Sequence, residues 1–148
     1  MMLAIENGGT KELIETGQAF VHFRALSNEL GGASLLTCPR DMEKVATTNF
    51  NSGFSDTNVS YFVGIYSQDT YPQMFLSGDR NLAFNNQPLK SGLFSLTTNS
   101  PALSWTKAVH NSYGNVLLSD GSVQFLDSKA LSAAAQEQGL ATNRLAIP

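Results

Sequence analysis

An α+β fold is what this sequence predicts. Three observations carry it: an apolar stripe at helical spacing over residues 17–30, β-branched and aromatic runs between residues 59 and 98, and an alanine-rich helical segment at 127–139. Helix, then strands, then a late helix is the order of an α+β domain. The chain has 148 residues, so residues 1–148 are read as a single globular domain. Folding at that length buries roughly 70% of the surface of the unfolded chain, enough for a core without staples.

The first element is GQAFVHFRALSNEL, in which Phe20, Phe23, Leu26 and Leu30 fall on one helical face, widened by Ala19. Gly31 and Gly32 stop it, because glycine readily takes the left-handed cap conformation. His22 lies at the edge of the stripe and reads as a boundary histidine. Leu35 to Cys38 reads as a short buried strand ended by Pro39, with Cys38 as a small buried hydrophobe. Residues 45–58, rich in Asn, Ser and Thr, read as a long loop.

VSYFVGIY (59–66) has strand composition, and MFLSGDRNLAF (74–84) is a second strand region in which Gly78 marks a bulge or a close backbone approach. Asp79 and Arg80 are adjacent there, so on a strand they face opposite ways and need different partners; structural hydrogen bonds are expected of both. LFSLTT (93–98) is a possible third strand. DSKALSAAAQEQG (127–139) reads as a helix capped by Asp127 or Ser128 and ended by Gly139, and the apolar tail LATNRLAIP should pack.

Between these lies HNSYGNVLLSDG, residues 110–121. Asp120 and Gly121 sit between NVLLS and SVQFL, and an Asp-Gly pair flanked by alternating apolar residues signals a hairpin. A two-residue type I′ turn sets Leu118 against Val123 and Val116 against Phe125, placing all four on one face. NSYG (111–114) can turn the chain as well, so that WTKAVH pairs antiparallel with NVLLSD. His110 and Asp120 are then five strand residues apart, about 16 Å. A catalytic dyad needs roughly 3 Å, so the pair is read as structural, with no catalytic residue assigned.

Composition narrows the function classes. Charged residues make up 14% of the chain against about 25% in typical soluble proteins, and the net charge is −3. The nine Lys and Arg residues form no basic run, so no nucleic-acid partner is expected. With one cysteine and two histidines far apart in sequence, no metal site and no cofactor are expected. No apolar run approaches the ~20 residues of a membrane span, and MMLAIENGG lacks a signal-peptide pattern.

His110, nine intervening residues, and Asp120 with Gly121 match a motif that names a family: the chain resembles the bacterial prepilin-type H-X9-DG proteins, pseudopilin-like components of type II secretion and type IV pilus systems. HFRALSNEL, LTCPRD, TNF, VSYFVG, PQMFLSGDRN, GNVLLSDGSVQF and TNRLAIP are similar to the soluble domains of such proteins from planctomycete- and verrucomicrobium-like bacteria. The resemblance implies a pilin-like fold, with an N-terminal helix packed on an antiparallel sheet and a short C-terminal helix. It also implies a structural role through contacts with other pseudopilin-like subunits or secretion-system components at the cell envelope, on its periplasmic or extracellular face. The family's long hydrophobic helix and peptidase site have no counterpart in these residues, so the chain is expected to be a trimmed soluble domain or a headless relative. Only His110, Asp120 and Gly121 map onto the motif. Two other readings stand beside this one: a cell-surface ligand- or glycan-binding module using the 45–58 loop, and a hydrolase using Cys38 or Ser119 with His110.

Overall fold

The computed structural model describes residues 3–99 and 102–148. Among them the chain forms nine strands: β1 (Tyr61–Gly64), β2 (Phe75–Asp79), β3 (Leu82–Phe84), β4 (Gln87–Pro88), β5 (Gly92–Thr97), β6 (Leu103–Trp105), β7 (Tyr113–Leu118), β8 (Val123–Asp127) and β9 (Thr142–Ile147). Two short α-helices accompany them, α1 (Ala19–Ala25) and α2 (Ser128–Gln136). A six-stranded sheet runs β5-β9-β1-β2-β7-β8 and a three-stranded sheet runs β4-β3-β6, with every pairing antiparallel.

This sheet-rich architecture overturns the expected α+β, pilin-like arrangement, because no long N-terminal helix packs on the sheet. The stripe over 17–30 yields only the seven residues of α1. Leu26 closes its last turn by donating to Phe23 and Arg24, and Ser27 and Asn28, whose side chains compete for backbone hydrogen bonds, continue as turns. The N-cap residue Gln18 makes no capping bond; Asp56, from the long loop, accepts the Phe20 N–H at 2.8 Å instead. That loop is anchored rather than loose: Phe54 is buried with Ala33, Leu36 and Val59, and Phe20 packs edge-on to it. The strand expected at Leu35 to Cys38 is largely a 3-10 turn, Ala33–Leu36.

The main core lies on one face of the large sheet. Phe62, Phe75, Val116, Leu118, Leu145 and Ile147 meet Leu131 and Ala135 of α2 and Leu82, Leu103 and Trp105 of the small sheet. Gly78 is a close approach: a Cβ there would stand 2.7 Å from both the Phe62 ring and the Asn115 carbonyl oxygen. The apolar tail enters the large sheet as β9, between β5 and β1. Asp127 caps α2 by accepting the Ala130 N–H at 2.8 Å.

Two expected pairings are corrected. WTKAVH does not pair with NVLLSD. Trp105 sits opposite Leu82 of β3, residues 106–112 form a loop, and β7 lies between β2 and β8. The β7–β8 hairpin exists, but one residue out of the expected register: Leu117 faces Val123, Val116 faces Gln124 and Asn115 faces Phe125. The Gly121 N–H donates to the Leu118 carbonyl at 3.0 Å, and Gly121 alone in this loop has positive φ, +83°. The connection is a three-residue loop, a turn followed by a left-handed glycine, in place of the two-residue type I′ turn. That single residue turns Val123 and Phe125 to the face opposite Val116 and Leu118.

Candidate functional site

The outer face of the large sheet, away from the main core, carries two features. One row of residues crosses all six strands through successive pairs: Leu93, Ala146, Val63, Ser77, Leu117 and Val123. Over its first half lie the Lys11–Thr16 turn and α1, whose Ile14, Ala19 and Phe23 pack on Val63, Ala146 and Leu93. Glu15 adds a two-pronged ion pair to Arg144 of β9, at 2.6 and 3.1 Å.

The next row is polar and loop-covered as far as Asn115 and ends at the exposed Phe125. Tyr61 pairs with Asp79, and Asn115 pairs with Phe125. The buried Asp79 carboxylate links these pairs by accepting from the Asn115 N–H at 2.6 Å and from its side-chain amide at 3.1 Å. His110 reaches the same oxygen from the 106–112 loop, its Nε2 lying 3.5 Å away. That nitrogen also lies 3.6 Å from Cys38 Sγ. A tight turn presents the histidine: the Tyr113 N–H donates to the His110 carbonyl at 3.2 Å, with Asn111 and Ser112 both left-handed at φ 53° and 71°. Beside this cluster Arg80 clasps Asp41 through two 2.7 Å bonds and reaches Glu43 through a third. Burial opposes ionisation of Asp41, but the Arg80 guanidinium, together with the Ser60 hydroxyl and the Glu43 N–H, offsets it and holds the carboxyl below its ordinary range. Tyr61, half-buried near Cys38, Asp79 and Asp41, is pushed up to about 12, chiefly by desolvation.

Asp79 and Arg80 thus turn to separate partners, and both fasten outlying loops to β2. His110 is not brought to Asp120. Asp120 accepts from the Ser122 N–H at 2.8 Å and its hydroxyl at 2.6 Å, bonds that hold its carboxyl below the ordinary range and brace the hairpin loop. Ser119 bonds Ser67 and the Met74 carbonyl rather than His110. Of the two nucleophiles that the hydrolase reading set beside His110, Cys38 is brought to it across 72 residues of sequence and Ser119 is not.

A nucleophile–base–orienter relay uses the two nitrogens of the ring for two different neighbours. Here thiol and carboxylate face one nitrogen, so Asp79 competes with Cys38 for it. Among the described residues no three His, Cys, Asp or Glu side chains converge so as to hold a metal ion.

The second feature is the far end of the outer face. β8 is an edge strand, and Val123 and Phe125 are 65% and 63% exposed. Tyr113 of β7 stacks on Phe125 with ring centroids 5.4 Å apart and planes 13° from parallel. Residues 122–127, SVQFLD, contain no Lys, Arg or Pro, the residues that commonly guard free strand edges. The opposite edge, β5, is packed by the Lys11–Thr16 turn. What the fold and this surface define is a two-sheet β domain whose large sheet ends at β8 in an exposed aromatic strip. No protein-family model, curated protein or solved structure matches the chain. No helix among the described residues is long and apolar enough to cross a membrane.

Proposed function

We propose that the chain is a structural, assembly-type domain, pseudopilin-like in role, that acts through contacts between its open β8 edge and like subunits. The observation that carries this reading is the strip of Tyr113, Phe125 and Val123 beside unpaired strand backbone. Aromatic residues are enriched in interface cores, and an unguarded edge is a ready template for strand addition. The H-X9-DG likeness supports the same reading. In this arrangement His110 fastens a covering loop, while Asp120 and Gly121 set the register that turns Phe125 outward. A cell-envelope setting belongs to this proposal. The pilin-like helix-on-sheet packing does not.

The test is sedimentation over a wide concentration range. The unmodified chain should self-associate at high micromolar concentration, and the double variant Val123→Lys, Phe125→Glu should remain monomeric with its thermal midpoint little changed. An unmodified chain that stays monomeric throughout, or a double variant that associates equally well, would overturn the reading.

A further inference from the structure

The pairing of β8 with β7 fixes which of its backbone groups stay free. The Leu118 N–H donates to the Ser122 carbonyl at 2.9 Å, and the same ladder continues with Val116 opposite Gln124 and Gly114 opposite Leu126. Hydrogen-bonded and non-hydrogen-bonded pairs alternate along an antiparallel ladder. Ser122, Gln124 and Leu126 therefore direct their N–H and C=O groups at β7, while Val123 and Phe125 direct theirs outward along the edge. The Asn115 N–H, which donates to Asp79 on the β2 side, follows the same alternation. The two residues that present free backbone are thus the two whose side chains are exposed on the outer face. Charge is also distributed along this strand. Asp120 lies exposed in the loop before it. Lys129 lies exposed just after it and forms no ion pair among the described residues.

Resting on the assembly reading of this edge, we propose that its partner is a second copy of the chain in a closed two-fold dimer, β8 running antiparallel to β8 about an axis at Gln124. Val123 then faces Phe125 of the second copy in a hydrogen-bonded pair, and the two-fold repeats that pair. Antiparallel pairing sets the start of one strand beside the end of the other. Asp120 of each copy therefore comes beside Lys129 of the other, and the complementary charges select this chain over an unrelated strand. A two-fold axis at Phe125 would instead set each Asp127 carboxylate against Val123 of the second copy, an apolar neighbour. The two six-stranded sheets join into one continuous sheet, and because both β8 edges are used up, assembly through this contact stops at the dimer.

Charge exchange followed by sedimentation tests the pairing. The unmodified chain should form dimers and nothing larger. Asp120→Lys and Lys129→Asp should each weaken dimerisation roughly tenfold at low salt, since each turns two exposed attractions into two repulsions. An equimolar mixture of the two variants should regain the affinity of the unmodified chain, because every cross pair is then opposite in sign again. Gln124→Cys, at the axis, should cross-link the dimer in air, since directly opposed cysteines in a non-hydrogen-bonded antiparallel pair lie within disulfide reach. Growth beyond the dimer, or a mixture that associates no better than either variant alone, would overturn the two-fold pairing and leave the edge reading standing. Dimers that Gln124→Cys fails to cross-link would overturn the axis at Gln124. An unmodified chain that stays monomeric throughout would overturn the edge reading and this inference together.

Discussion

The outer face of the large sheet is two surfaces laid side by side on one ladder. At the β5–β9–β1 end, Leu93, Ala146 and Val63 lie beneath α1 and the Lys11–Thr16 turn. At the β7–β8 end the same row continues through Leu117 to Val123 and meets solvent. Val63 is 2% exposed and Val123 is 65% exposed, although both are valines on the same face of the same row. Strand alternation decides which face a residue occupies, but only a crossing segment decides whether that face is interior. The hydrophobic residues at the bare end therefore do little for the fold, which leaves them free to act in contact with other molecules.

The largest expected effect breaks this comparison directly. Val63→Asp places an unpaired charge in a closed apolar layer and should cost about 4 kcal/mol or more, unfolding the chain near room temperature. Val123→Asp, the same substitution in the same row, should change stability by no more than about 0.5 kcal/mol. Urea denaturation of the two variants checks both figures. A large loss at Val123 would mean that the bare half is covered in solution.

The same contrast explains what could be read in the sequence. The cores of the strands at 61–64, 93–97 and 115–118 were legible from β-branched, aromatic and other apolar residues between turn residues, whereas Tyr113 and Gly114, read as part of a turn, begin β7. The Asp-Gly hairpin was legible as a hairpin. Its register was not, because Asp-Gly serves a two-residue and a three-residue loop equally well, and the assumption that Val123 and Phe125 seek the core chose the wrong one. The 17–30 stripe looked like one long helix because Phe20, Phe23, Leu26 and Leu30 share a helical face, yet the clusters that Phe20 and Phe23 join are built by loops and strands distant in sequence. At the candidate site, Asp79 and Arg80 were legible as needing separate partners. That these would include His110 and Asp41 depends on where two irregular loops settle, and local pattern carries no such information.

The second prediction acts on the cover itself. His22 of α1 is buried, and burial depresses its pKa from the ordinary 6.5 to about 4. A depressed base takes up its proton more readily in the unfolded chain, so this contribution is intact above about pH 6.5, falls as pH drops toward about 4 and levels off below that. The loss over that window is at most about 3.5 kcal/mol, at roughly 1.4 kcal/mol per pKa unit. Stability measured by urea denaturation from neutral pH to pH 4 should show this decline, and His22→Gln should flatten it. Hydrogen exchange should locate the acid-induced opening at α1 before the bare end responds. An unchanged slope in His22→Gln would assign the decline to other groups.

The smallest effect concerns the loop that sets the register of the bare half. In the observed loop Gly121 is left-handed at +83° while Asp120 has negative φ. Gly121→Ala should therefore cost about 1 kcal/mol, and Gly121→Asn less, since Asn tolerates the left-handed region. Asp120→Ala loses only exposed bonds to Ser122 and should cost less than Gly121→Ala. A two-residue type I′ turn would require both positions to be left-handed, which would make Asp120→Ala about as costly as Gly121→Ala. Cross-strand NMR contacts between Leu117 and Val123, against Leu118 and Val123, decide between the two loops without any substitution. If Leu118 proved to face Val123, then Val123 and Phe125 would turn toward the main core and the open surface would close. The position of one glycine in one loop thus determines whether this end of the sheet is available to a partner at all.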